Sequence, residues 1–135
     1  MIEFEINITP MGAVRMTQRS KWKNRSAQEY LRYKTLIGLT ARKHFDEPIS
    51  GPVAAEIDFY YPVPKSWTKK EKADALSGRT FPTVKPDIDN CVKGIFDSLN
   101  KVAWLDDNRV VALVTRKFYD NHPRIVIKVW EVDAA

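Results

Sequence analysis

One helix is written into residues 87–100, and it limits what the rest of the chain can do. Ile88, Val92, Ile95, Phe96 and Leu99 recur at the spacing of a single apolar face. Pro86 disfavours helix in the residue before it and suits a helix start, and Asp87 is a preferred N-cap, so the helix is expected to begin near Asp87. Asp89, Lys93 and Asp97, each four residues from the next, line up on a different face.

The flanking sequence supplies the surface that such a helix needs. Ile2, Phe4, Ile6 and Ile8 alternate with Glu3, Glu5, Asn7 and Thr9, and Val53, Ala55, Ile57, Phe59 and Tyr61 alternate with Ala54, Glu56, Asp58 and Tyr60. Both runs have the period of a strand, the second ended by Pro62 and Pro64. Between them Tyr30, Tyr33, Ile37, Ala41 and Phe45 predict a helix to about residue 44, with Ser26 and Glu29 reading as its capping box. A short lysine-rich helix is expected over 66–76. Strands are expected over 109–119 and 124–132, joined as an antiparallel hairpin by Asp120, Asn121, His122 and Pro123. The order is β-α-β-(short α)-α-β-β. It predicts an α+β two-layer fold, one domain over 1–135, with helices packed on a small mixed or antiparallel sheet.

Chemistry concentrates around the central helix. Asp87 and Asp89 stand at its start, Asp106 and Asp107 shortly after its end. Singly, each has a plain structural use: Asp87 as a cap, Asp89 with Lys93 as an i,i+4 ion pair, Asp106-Asp107-Asn108 as a turn. Together they are two carboxylate pairs, and paired carboxylates repel unless a cation lies between them. Mg²⁺ suits such a set, since it takes oxygen ligands, keeps several waters, and needs only two or three Asp side chains besides substrate phosphate. The helix is about 20 Å long, so Asp107 starts at its far end. Residues 101–106, if extended, are long enough to run back along the helix and return Asp107 to its start, with Trp104 and Leu105 covering the apolar face on the way.

A net charge of +5 favours a polyanionic partner. Arg15, Arg19, Lys21, Lys23 and Arg25 follow one another with no acidic residue among them and with Trp22 interleaved. A solvated loop would look the same, but like charges so close repel unless an anion is present, and an aromatic side chain can stack on exposed bases. Lys69 and Lys70, on the short helix, form a second candidate phosphate patch. No apolar run approaches a membrane span and residues 1–10 lack a signal-peptide pattern, so a cytoplasmic location and no membrane partner are expected. Cys91 is the one cysteine, expected as a semi-buried filler, and His44 and His122 have no company at zinc-ligand spacing.

The run K-P-D-I-D-N-x-x-K, then F-D-S-L, then W-L-D-D-N-R-V resembles the RusA family of Holliday-junction resolvases, in which D-x-D-N-x-x-K precedes F-D-A-L and a later D-D. The resemblance implies a RusA-like fold and an endonuclease acting on four-way junction DNA in recombination and repair. It implies Asp87, Asp89 and Asp107 as the essential carboxylates holding Mg²⁺, with Mn²⁺ able to stand in, and Lys93 as their essential basic partner. Asn90, Asp97 and Asp106 match the pattern too, with roles left open. A junction cut twice on strands of like polarity calls for two related sites, which suggests a homodimer. The apolar excess represented by Trp22, Trp67, Trp104 and Trp130 points the same way, with the final hairpin, and Trp130 on its face opposite Ile127 and Val129, as the candidate surface. Two other readings remain: a non-catalytic basic DNA-binding module whose carboxylates are caps and turns, and a metal-dependent enzyme on small phosphorylated substrates. The second of these lacks a Gly-rich phosphate loop.

Overall fold

The computed structural model of the protein describes residues 1–17 and 24–133. Among these, β1 (Ile2–Ile6), β2 (Val53–Pro62), β3 (Val110–Asp120) and β4 (Arg124–Glu131) form one mixed sheet in the order β1-β4-β2-β3. β4 pairs antiparallel with both β1 and β2, while β2 and β3 run parallel. The helices are α1 (Arg25–Arg42), α2 (Lys69–Leu76) and α3 (Ile88–Leu99). The α+β architecture and element order expected from the sequence are therefore present.

Alternation decides which face is covered. Phe4 and Ile6 of β1, Val53, Ala55, Ile57, Phe59 and Tyr61 of β2, and Ile125, Ile127 and Val129 of β4 are buried in one core with Tyr30, Tyr33, Ile37 and Ala41 of α1 and Cys91, Ile95 and Leu99 of α3. The even-numbered residues of β2 turn to the other face, where Asp58 holds the Arg116 guanidinium at both oxygens (2.8 and 3.0 Å) and Glu56 also reaches Arg116. α2 closes the end of the sheet, its capping box formed by Thr68 and Glu71, with Trp67 packed edge-on against Tyr119 at 5.2 Å.

Four expectations change in detail. β3 and β4 do not form a hairpin: β2 lies between them and pairs with both. The physical reason is that β2 is buried on nearly every residue, small Ala54 included, which only a central strand can be. α1 is capped by Asn24, whose side chain accepts the Ser26 N–H at 2.9 Å, and Glu29 pairs with Arg25 instead of closing a box with Ser26.

Residues 101–106 do not run back along α3. Lys101 takes a left-handed φ of 66°, Trp104 bridges to Asn100 and Ile49, and its indole donates to Asn100 Oδ1 at 2.8 Å while meeting Phe96 edge-on. Trp104 does cover the apolar face, but Leu105 is exposed and the chain stays at the C-terminal end of the helix. The tryptophan excess also shrinks, because Trp104 is fully buried and Trp67 anchors α2, while Trp22 lies outside the described residues.

Candidate active site at the start of the central helix

The segment entering α3 is tied down from the sheet side. Tyr61, facing inward near the end of β2, donates its hydroxyl to Pro86 O at 2.5 Å and sits 3.4 Å from Cys91 Sγ. Lys117 of β3 donates from Nζ to Val84 O at 2.8 Å, its ammonium 4.8 Å from the centre of the Tyr61 ring. The Lys85–Pro86 peptide between these two anchors is cis. Burial, then the contact with Cys91, pushes the Tyr61 hydroxyl well above its ordinary pKa, and burial likewise raises the Cys91 thiol. Cys91 is therefore a neutral, fully buried filler, more enclosed than expected.

The opposite wall is the N-terminal loop. Ala13 N–H donates to Asn90 O at 3.1 Å and Asn90 Nδ2 returns a bond to Ala13 O at 3.3 Å. Met11 N–H reaches the Tyr33 hydroxyl at 3.3 Å. Gly12 sits so close that a Cβ there would lie 2.5 Å from Asn90 Nδ2. Between the two walls opens a cleft of about 410 Å³ lined by Pro10, Met11, Gly12, Lys85, Pro86, Asp87 and Asn90.

Polar side chains of the central block divide into two sets. Asn90 fastens the loop, Asp97 Oδ2 accepts the Tyr30 hydroxyl at 3.0 Å, and Asp106 Oδ1 accepts the Asp107 N–H at 2.9 Å. By contrast, the side chains of Asp87, Asp89, Lys93 and Asp107 make no hydrogen bond or ion pair with any described residue. Asp87 occupies the N-cap in extended conformation yet its carboxylate does not cap, and the i,i+4 pair between Asp89 and Lys93 does not form. An N-cap aspartate normally satisfies a helix N–H, which is worth about 1 kcal/mol, so leaving it free gives up stability at this position.

Asp87, Asp89 and Lys93 thus share one helix start, and Asp107 does not join them within the chain. Asp107 opens the 3₁₀ turn Asp107–Arg109 before Val110, which registers with Val53 at the beginning of β2, whereas Tyr61 and Lys117 stand near the far ends of their strands. Roughly 23 Å of extended strand separates Val110 from Lys117. Accordingly, no group of three His, Cys, Asp or Glu side chains that could hold a metal ion occurs among the described residues. Asp87 and Asp89 by themselves suit a hard divalent cation, being exposed carboxylates two positions apart with no side-chain partner among the described residues.

Of the basic residues, Arg15 is exposed two positions beyond the anchored Ala13, and Arg25 opens α1 in an exposed pair with Glu29 at 3.1 Å. Lys69 and Lys70 are exposed in the first turn of α2. Arg19, Lys21 and Lys23 lie outside the described residues. Sequence reasoning passed over Tyr61, Tyr30 and Lys117. The first two carried a signal, because a tyrosine in the buried register of a strand or helix has to place its hydroxyl on a partner.

A cleft between a pinned loop and a helix start, lined by Asp87 and Lys85, with Asp89 and Lys93 exposed on the same helix and without a side-chain partner among the described residues, is the equipment of a protein that handles phosphodiesters. The chain belongs to the RusA endodeoxyribonuclease family, whose model (Endodeoxyribonuclease RusA) it matches over residues 6–130. It is also 39% identical over 128 residues to "Uncharacterized protein YqaN" of Bacillus subtilis (strain 168), covering 93% of this chain and 88% of that protein. No helix of the described residues is long and apolar enough to cross a membrane.

Proposed function

We propose that this protein is a cytoplasmic Mg²⁺-dependent endonuclease that resolves four-way DNA junctions in recombination and repair, with Asp87, Asp89 and Asp107 as metal carboxylates and Lys93 facing the scissile phosphate. The observation that carries this reading is the division of labour in the central block. Asn90, Asp97 and Asp106 each have a structural task, while Asp87, Asp89, Lys93 and Asp107 have none among the described residues. A divalent ion, when bound, polarises the phosphate and lowers the pKa of a bound water. Lys93, one helical turn from Asp89, is placed to offset charge that develops on the phosphate. Arg15, Arg19, Lys21, Lys23, Arg25, Lys69 and Lys70 supply phosphate contacts along the arms.

The working unit in this reading is a homodimer, and its seam is the free edge of β3. Val111, Leu113 and Val114 are 61%, 37% and 53% exposed, so this edge strand shows apolar side chains on both faces and carries no charge over 110–114. Soluble proteins guard such edges with charges, proline or bulges unless something pairs with them. This surface replaces the Trp130 face as the better candidate, since Trp130 is already half-buried. An antiparallel pairing of two β3 edges about Ala112 sets Val111 opposite Leu113, Val110 opposite Val114 and Asp107 opposite Lys117 of the second copy. The two-fold axis then runs perpendicular to the sheet, which keeps both helix layers on one side and brings Asp107 of each copy to the other's Asp87 and Asp89.

Incubation of the protein with a synthetic four-way junction, in Mg²⁺ or in EDTA, tests the reading. Paired cuts on strands of like polarity in Mg²⁺ and none in EDTA are expected. Tight junction binding with no cleavage in either Mg²⁺ or Mn²⁺ would favour the non-catalytic DNA-binding module instead.

A further inference from the structure

Lys117 belongs to no part of the motif block, yet it stands next to the helix start. Its ammonium donates to Val84 O at 2.8 Å and lies over the Tyr61 ring, whose hydroxyl holds Pro86 O. The same Tyr61 hydroxyl lies 3.4 Å from Cys91 Sγ, and the Cys91 N–H donates to Asp87 O at 2.9 Å, so Lys117, Tyr61, Cys91 and Asp87 form one connected neighbourhood. Even so, Lys117 forms no ion pair with Asp87 or any other described residue. A lysine used only to satisfy the Val84 carbonyl would be superfluous, because Val84 is 54% exposed and water can do the same. What Lys117 and Tyr61 achieve jointly is to fix two carbonyls, three and one residues ahead of Asp87, against the rigid ends of β2 and β3.

The geometry points to Lys117 as a positioning residue for Asp87: with Tyr61 it holds residues 84–86 so that the Asp87 carboxylate is preset for its cation, and thereby sets the affinity of the site for the metal. This rests on the reading of Asp87 as a metal carboxylate. Groups that brace a metal ligand from behind typically change metal affinity by about 10–100-fold when removed, without touching the metal. An arginine at 117 keeps a donor and a positive charge, whereas methionine keeps only the aliphatic stem.

The test uses the full chain carrying Lys117→Met, Lys117→Arg or Tyr61→Phe. Mn²⁺ binding is measured by calorimetry without DNA, junction affinity in EDTA, and cleavage across a metal titration. Lys117→Met and Tyr61→Phe are expected to weaken Mn²⁺ binding by about tenfold or more and to shift the metal midpoint of cleavage by a similar factor. The plateau rate should fall by less than the midpoint moves, and Lys117→Arg should stay close to the parent protein. A Lys117→Met protein that binds Mn²⁺ as the parent does overturns the proposal, whatever its rate. If circular dichroism shows that variant to be unfolded, Tyr61→Phe decides, and unaltered Mn²⁺ affinity there is equally fatal. Asp87→Asn binding Mn²⁺ like the parent would instead remove the reading of Asp87 on which the proposal stands.

Discussion

Asp106 accepts the backbone N–H of Asp107 through Oδ1 at 2.9 Å, so of two adjacent carboxylates one is occupied by a turn and the other has no partner among the described residues. The pair therefore separates by mutation. Asp106→Asn keeps an oxygen that can accept the same bond and should retain most of the cutting activity, while Asp106→Ala should cost about 1 kcal/mol of stability. Asp107→Asn, like Asp87→Asn and Asp89→Asn, should abolish cleavage while leaving junction binding intact or stronger, because each removes negative charge near phosphate. Cleavage assays beside binding titrations check this. Loss of cutting in Asp106→Asn with retention in Asp107→Asn would reverse the assignment.

Phosphate contact by the N-terminal loop is measurable as a salt slope. Replacing Arg15, Arg19 and Arg25 together by alanine should weaken junction binding and flatten its dependence on salt, by roughly 0.9 in the log–log slope for each phosphate of the duplex arms that is no longer neutralised. Arg25 is expected to give the least of the three, since Glu29 already pairs with it. Fluorescence anisotropy at several salt concentrations reads the slope, and an unchanged slope would mean that these arginines are merely solvated.

Gly12 tests whether the loop has to be seated on α3. A Cβ at this position would lie 2.5 Å from Asn90 Nδ2 and 3.1 Å from the Pro86 side chain, so Gly12→Ala must displace either the Ala13–Asn90 bonds or the loop that enters α3. Junction affinity and cleavage should both fall, while the melting temperature changes little, because the contact lies outside the buried core. Parent-like cleavage in Gly12→Ala would show that the loop's seat does not matter to the site.

Periodicity carried most of the fold. The five apolar positions of α3 and the alternations of β1 and β2 are local, and each element forms within its pattern, β1 stopping at Ile6 short of the Ile8 and Thr9 that the alternation included. What was not legible was non-local. Adjacent strands 109–119 and 124–132 read as a hairpin because sequence neighbours usually pair, whereas the burial of Ala54 and Asp58 on the outer face of β2 is a property of the assembled sheet. The position of Asp107 failed for a similar reason. Chain length allowed residues 101–106 to return along α3, but the left-handed turn at Lys101 and the burial of Trp104 hold that segment at the wrong end. Which residues of the block were committed to structure was equally hidden, since Tyr30 meets Asp97 across 67 positions of sequence.

The separation of Asp107 from Asp87 along β3 leads to a direct measurement on mixed dimers. Asp87→Asn and Asp107→Asn proteins, each inactive alone, are co-expressed or refolded together and assayed on a four-way junction in Mg²⁺. If Asp107 serves the second copy's site, each mixed dimer contains one doubly altered site and one intact site, and single-strand nicking of the junction should reappear. If each site is built from a single chain, every site in the mixture carries one substitution, and complete inactivity of the mixture would contradict the shared site.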